Sequence, residues 1–439
     1  MLLQRASVVG RLFWAAVVAE LASGEFEADQ VNELLEDVRS RELVLRRESS
    51  VFERTDEYIF KHALLRDVAY ETVLLKLRRS YHARVAHWLE AAAGERITEY
   101  LGLIARHYEM ADEAPRAIDF WQRMGEESLQ VGAFRDAVTA LERALALSLE
   151  VSHEQASMAP PAPSDAELAG RAMLLINLGN SYKRVGDYRV AVEHLARGLA
   201  LAREANHSHA EIAALNRLAQ VATEQGAYDT AQRYLDEVLV LARDQKDQEC
   251  VASALSMLST IAWRWGDIEQ AEACCHESLT IYRELGDRNR TAQLLNILGI
   301  LATLQENYAQ AEHHYEQALQ TARVIDDRQL VADLLNNLGY LYHHSTGNLE
   351  EARNHYLESL RIAREIDHRS GATSTLTNLG QLHVLLGEHQ AAWGYLREAL
   401  VESVAIGAIP LTLDALVGVV QQQIEVGQHV SAAELLGLA

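Results

Sequence analysis

The chain has 439 residues and a formal net charge of -23; 49% of it is apolar, and only five residues are proline. Residues 1–93 hold 13 Lys and Arg against 15 Asp and Glu, so the imbalance belongs to the rest, where 27 oppose 48. A body this acidic repels phosphate backbones and anionic headgroups, which argues against nucleic acid and membrane surfaces as main partners.

The three cysteines, Cys250, Cys274 and Cys275, lack a framework spacing, which fits a reducing compartment. The run Leu12–Ala19 follows Arg5 and Arg11 like a signal peptide, but Glu20 ends it at once. No apolar run approaches the ~18 residues that a bilayer demands. The expected location is the cytoplasm.

In chain order, residues 5–22 and 28–40 have helical period. Leu43-Val44-Leu45 and Tyr58-Ile59-Phe60 look like two short strands around a polar turn, and helices follow over 62–75 and 77–93. Helices, a small hairpin and a closing helix predict a winged-helix-like arm over 1–95. First helical hairpins are expected over 96–150. A Pro/Ser-rich linker or loop containing Pro160, Pro161 and Pro163 is expected over 151–166, and a repeat array over 167–439.

The array declares itself by period. Gly186-Asp187-Tyr188 recurs as Gly226-Ala227-Tyr228, Gly266-Asp267-Ile268, Glu306-Asn307-Tyr308, Gly347-Asn348-Leu349, Gly387-Glu388-His389 and Gly427-Gln428-His429, in steps of 40 or 41. An earlier copy is Gly132-Ala133-Phe134. Eleven or twelve residues before the turn stands a leucine: Leu175, Leu215, Leu255, Leu295, Leu335, Leu376 and Leu416. Seven or eight before it a small residue is frequent (Gly179, Ala219, Ser259, Gly299, Gly339, Gly380), where two helices must approach closely. Five after it comes alanine in every copy, from Ala137 and Ala191 to Ala392 and Ala432. Two amphipathic helices joined by a left-handed glycine are a helical hairpin, and the whole reads as mainly all-α.

This pattern resembles the tetratricopeptide repeat in a lengthened form, over residues 115–439. The resemblance implies a right-handed superhelix whose first helices line a concave, ligand-holding face. The family's large aromatic before the small position is replaced by leucine, and its closing proline is absent. A second resemblance rests on Phe60-Lys61-His62-Ala63-Leu64-Leu65-Arg66-Asp67-Val68-Ala69-Tyr70-Glu71, on Arg78-Arg79-Ser80-Tyr81-His82, and on the opening Arg5-Ala6-Ser7-Val8-Val9-Gly10-Arg11-Leu12-Phe13-Trp14. These are similar to the segment just after the ATPase core of bacterial signal-transduction ATPases with numerous domains, including fusions to adenylate/guanylate cyclases or LuxR-type regulators. The resemblance implies that the front domain is a lever between an ATPase and a repeat sensor.

The catalytic parts of such a protein are not in this sequence. A phosphate-binding loop needs Gly-Lys-Ser/Thr, and the four lysines, Lys61, Lys76, Lys183 and Lys246, follow Phe60, Leu75, Tyr182 and Gln245. There is no His-Glu-x-x-His and no Gly-x-Ser-x-Gly. His313-His314 and His343-His344 point to different sides of a helix and read as solvated faces. Cys274 and Cys275 read as packing residues. The sequence thus reads as a non-enzyme with no cofactor and no metal.

What remains is a surface. Residues one beyond the repeated leucine, Ile176, Asn216, Ser256, Asn296, Asn336 and Thr377, are expected on the concave face. The amides of Asn216, Asn296 and Asn336 could pair with an extended peptide backbone; the plainer alternative is that each bonds a neighbouring helix of the array. Gln220, Trp263, Arg264, Tyr340, His343 and His344 surround them as an aromatic and basic set. Lys183 and Arg184 could begin a clamp for a terminal carboxylate, though adjoining repeats supply few matching cations. The expected partners are a protein or peptide, a small inducer, and an ATPase or output module on a parent chain, since Met1 and Ala439 both look like cut ends. Two alternatives stand: a self-contained repeat scaffold, and a transcription-regulator fragment that uses Arg39, Arg41, Arg46, Arg47, Lys76, Arg78 and Arg79 on DNA.

Overall fold

The computed structural model describes residues 1–156, 163–345, 347–428 and 437, with side chains from 152 to 156 left aside. Pro160, Pro161, His429, Ala432 and Ala439 of the sequence reading lie outside the described residues. Contacts divide the chain into two compact units, 1–225 and 226–439.

The first unit opens with α1 (Leu2–Val9), β1 (Leu12–Trp14), α2 (Ala15–Ala22), α3 (Ala28–Ser40), β2 (Val44–Arg46), β3 (Glu57–Phe60), α4 (Ala63–Glu71) and α5 (Leu75–Ala93). The strands form an antiparallel sheet in the order β1-β3-β2, with Phe13 opposite Tyr58 and Val44 opposite Phe60. The single helix expected over 5–22 is corrected here. Gly10, at φ 152°, ends α1, and Leu12–Trp14 pair with β3 before helix resumes. Helical period survives on both sides of so short a strand, which is why the pattern concealed it. Glu57 is buried at the sheet's heart and accepts hydrogen bonds from Trp14 Nε1 at 3.0 Å and Arg47 Nη1 at 2.6 Å. A buried carboxylate so partnered avoids the cost of isolation.

A 3-10 turn (Gly94–Tyr100) leads into α6 (Leu101–Met110), α7 (Ala114–Gln130), α8 (Phe134–Ala156), α9 (Asp165–Val185), α10 (Tyr188–Glu204) and α11 (Ser208–Glu224). One apolar cluster runs from Val17, Val31 and Phe60 through Leu89 to Ile104, Tyr108 and Phe120, so the front domain and the first hairpins share a core.

The second unit holds α12 (Tyr228–Asp244), α13 (Gln248–Trp265), α14 (Ile268–Leu285), α15 (Arg288–Leu304), α16 (Tyr308–Val324), α17 (Arg328–Ser345), α18 (Leu349–Glu365), α19 (Arg369–Leu385), α20 (His389–Ala405) and α21 (Ile409–Glu425). These are the expected helical hairpins, and the chain is mainly all-α with superhelical, tetratricopeptide-like repeats. The repeated alanines Ala137, Ala191, Ala271, Ala311, Ala352 and Ala392 are all completely buried. The small residues are where helices touch: a Cβ on Gly179 would meet Leu195 Cγ at 2.6 Å, and one on Gly380 would meet Leu396 Cγ at 2.5 Å.

The turns explain the period. Gly186, Gly226, Gly266, Gly347 and Gly387 take the left-handed conformation, and Glu306 takes it in their place at φ 58°. A second left-handed residue follows each by 20: Asn206, Lys246, Gly286, Asp326, Asp367 and Gly407. The residue after a left-handed one often caps the next helix, as Asp267 does for Gln270 N at 3.0 Å and Asp287 for Arg290 N at 2.9 Å.

Candidate functional site

In the second unit, first helices α15, α17 and α19 bring four asparagines together. Asn337 Nδ2 donates to Asn296 Oδ1 at 2.8 Å, and Asn378 Nδ2 donates to Asn336 Oδ1 at 3.0 Å. The plainer alternative named above is therefore what Asn296 and Asn336 do with their oxygens: they bond the next hairpin. Among the described residues, each pair still has a free donor, Nδ2 of Asn296 or Asn336, and a free acceptor, Oδ1 of Asn337 or Asn378. None of these atoms is among the buried unpartnered ones, so they meet solvent.

Three of the asparagines, Asn296, Asn336 and Asn337, line a groove of about 400 Å³ with Asp333, His368, Ser370, Ser374 and Leu411. His368 Nε2 sits 3.2 Å from Asp333 Oδ1. Burial pushes the Asp333 carboxyl up, and the neighbouring His368 opposes that rise. The groove thus offers amide donors and acceptors, two hydroxyls, a carboxyl with its imidazole neighbour and one apolar side chain, Leu411.

The other residues named from sequence fall in separate places. Tyr340, one turn beyond Asn336 on α17, is exposed and stacks on His344 with ring centroids 4.0 Å apart. His343 is not on a solvated face. It is buried against Tyr356, and burial, then the adjacent His344, pushes its imidazole down to about 4. Period alone hid this, because the last turn of α17 packs over α18. Trp263 is half-buried against Ala262, Ala271 and Leu301, and Arg264 beside it is exposed. Cys275 is completely buried, its thiol donating to Leu294 O at 3.4 Å and pushed up to about 12 by burial.

In the first unit, Asn216 and Gln220 lie on α11. Gln220 Oε1 accepts from Lys183 Nζ at 3.0 Å and from Arg217 Nη1 at 3.2 Å, while Asn216 Oδ1 is buried and, among the described residues, has no partner. Two cations thus share one neutral oxygen. Burial lowers both, and for Arg217 the nearby Arg184 adds to it. Glu224, 3.4 Å from Lys183, is the acid that answers them. Arg217 is the matching cation that the sequence reading did not find, because it comes from the neighbouring hairpin. Asn337 and Asn378 were missed for a related reason: they stand two, not one, beyond the repeated leucine.

Residues 147–302 match the model of the MalT-like TPR region, and 291–325 and 330–400 match two tetratricopeptide-repeat models. The chain carries tetratricopeptide repeats, similar to the MalT-like region over residues 147–302. No curated protein matches the sequence. Among solved structures, the tetratricopeptide fold is shared with the apo quorum sensor NprR from B. thuringiensis, at TM-score 0.56 and 12% identity over 85% of this chain and 93% of that one. A STAND protein with a tetratricopeptide repeat sensor, PH0952 from Pyrococcus horikoshii, gives 0.52 and 16% over 92% of this chain; the chain spans 64% of its length. Apo RapI gives 0.52 and 12%, over 66% of this chain and 98% of RapI. Among the described residues, no helix is long and apolar enough to cross a membrane, and no group of three or more His, Cys, Asp or Glu is arranged to hold a metal ion.

Proposed function

We propose that the chain is a non-catalytic sensor and scaffold region that holds an extended peptide or protein segment and couples its binding to a nucleotide-binding output module. One observation carries the binding half. Each asparagine pair, Asn296 with Asn337 and Asn336 with Asn378, satisfies one donor and one acceptor internally and presents one of each to solvent. An extended peptide needs an N–H acceptor and a C=O donor at every step, and a pre-positioned amide pair supplies both with little entropy left to lose.

The coupling half is supported by the front domain. Its order helix–strand–helix–helix–strand–strand, with sheet order β1-β3-β2, favours the winged-helix-like reading. The likeness to the STAND protein with its repeat sensor points the same way. Within this domain α4 packs Leu65 against the core but fully buries no side chain, and Leu64, Val68, Leu74 and Leu75 stand exposed, an apolar corner suited to another protein. DNA is a poorer partner for it. Helix α3 carries Asp29, Glu33, Glu36 and Asp37, and Arg39 and Arg41 are paired with Glu36 and Asp37. Phosphate contact needs free cations.

Selection of displayed peptides against the full chain tests the reading. Enriched peptides are expected to lose about tenfold in affinity on Asn336→Ala or Asn378→Ala, about 1.4 kcal/mol, and to be indifferent to Glu277→Gln. Peptides that bind all three variants equally, or the absence of any enriched peptide, would remove the asparagine groove from the function. An in-frame phosphate-binding loop encoded upstream of Met1 is the expected finding for the coupling half.

A further inference from the structure

The hairpins of the second unit are laced together by arginine–glutamate pairs in a fixed register. Seventeen residues after the turn stands Arg243, Arg283, Arg323 or Arg364, and eleven after the following turn stands Glu277, Gln317, Glu358 or Glu398. Arg243 meets Glu277 at 3.0 Å, Arg323 meets Glu358 at 3.7 Å, and Arg364 pairs with Glu398. A second arginine, 22 after the turn, also pairs with the next hairpin, though its glutamate stands 18 or 15 after the following turn: Arg328 pairs with Glu365, and Arg369 meets Glu402 at 2.6 Å.

One junction breaks the rule twice. Arg283 has Gln317 at the position of its glutamate, and Gln317 is turned to its own helix, with Nε2 3.0 Å from His313 Nε2. Arg288 has Thr321 and Val324 where Glu402 and Glu365 answer its counterparts. Among the described residues, neither Arg283 nor Arg288 has an ion-pair or hydrogen-bond partner for its guanidinium. Both line one cleft of about 460 Å³ with Thr291, Gln320, Thr321 and Val324, and no acid lines it. The equivalent cleft two junctions on, of about 200 Å³, contains Arg364 and Arg369 together with Glu398 and Glu402. The same architecture is therefore neutralised in one place and left with two positive charges in the other, within an acidic array.

We propose that the cleft between α14, α15 and α16 binds a phosphate group, carried by a small soluble phosphate monoester. Two unanswered guanidinium groups match the two charges of a monoester dianion, and their planar forks suit tetrahedral oxyanions. The Gln320 amide supplies a further donor. The hydroxyls of Thr291 and Thr321 already donate to Asp287 O and Gln317 O, so charge recognition rests on the arginines. The volume falls within the ~300–1,000 Å³ of small-molecule sites, leaving room beside Val324 for an ester substituent. This inference is independent of the peptide groove.

Titration calorimetry of the full chain with inorganic phosphate at low ionic strength tests it, with succinate and phosphatidic-acid vesicles as parallel probes. The expected result is saturable one-to-one binding of phosphate, at least tenfold weaker in Arg283→Gln and in Arg288→Gln and unchanged in Arg364→Gln. The double variant Gln317→Glu, Thr321→Glu restores the lacing seen elsewhere; it is expected to abolish phosphate binding with no fall in melting temperature. No saturable phosphate binding, or binding that survives the double glutamate variant, overturns the site. Succinate bound more tightly than phosphate overturns the ligand class, and vesicle binding that depends on Arg283 without phosphate binding overturns the soluble source.

Discussion

The ring of Tyr356 on α18 lies so close over Gly339 on α17 that a Cβ on the glycine would stand 2.6 Å from its Cδ1. The two helices of that hairpin approach as they do because one gives up its side chain where the other places its largest.

Gly339→Ala is accordingly expected to destabilise the second unit by ~1–3 kcal/mol through overpacking, seen as a lower urea midpoint. The double variant Gly339→Ser, Tyr356→Cys recreates the solution used at Ser259 and Cys275, where Ser259 Oγ donates to Ala271 O at 2.7 Å. It is expected to recover part of that loss. An unchanged midpoint for the single alanine variant would contradict the packing account.

The hydroxyl of the same Tyr356 is buried and, among the described residues, has no hydrogen-bond partner. Tyr356→Phe removes an unsatisfied polar group while keeping the ring, so a gain of about 1 kcal/mol is expected. A loss on thermal or chemical unfolding would mean that the hydroxyl has a partner after all.

Glu306 at φ 58° and Lys246 at φ 57° occupy left-handed positions that glycine fills in other copies. Relief of the Cβ clash outweighs the added freedom of the unfolded chain, so Glu306→Gly and Lys246→Gly are each expected to stabilise by ~0.5–1 kcal/mol. Gly286→Ala, made at the equivalent turn, should move the melting temperature the opposite way.

His82 and His107 face each other with Nδ1 atoms 2.8 Å apart, and Tyr70 closes the chain at His82 Nε2. Burial pushes His82 down to about 4, helped by Arg66 and Arg78, and pushes His107 to about 3, helped by His82. The unfolded chain, near 6.5, takes up these protons first. Their contribution to stability is therefore complete above pH 6.5 and is lost as pH falls from 6.5 towards 3–4. Melting temperature measured from pH 7 to 4 should drop, and the slope should flatten in His107→Gln; equal slopes would exclude the pair as its source.

The hairpins themselves were legible, because each demand they make is local and recurs. Left-handed glycine at Gly186 or Gly266, burial of Ala191 or Ala271 against the partner helix, and close approach at Gly179 or Gly380 each ask for one residue type at one spacing. Strand β1 was not legible, since the three residues Leu12–Trp14 carry no period of their own and become a strand only by pairing with Ile59, Tyr58 and Glu57. The half-period turn was hidden as well, because Asn206, Lys246, Asp326 and Asp367 tolerate the left-handed region without announcing it.

Sequence by itself thus determined the repeat, its length and its acidic character, since these follow from side-chain volume, backbone freedom and charge at single positions. Tertiary structure alone decided which amide faces which. Asn337 reaches back to Asn296 across 41 residues, Arg217 joins Lys183 at one oxygen, and Arg283 and Arg288 find no acid opposite. Each of these depends on the distance and angle between stacked hairpins, which the helical period within one hairpin does not contain.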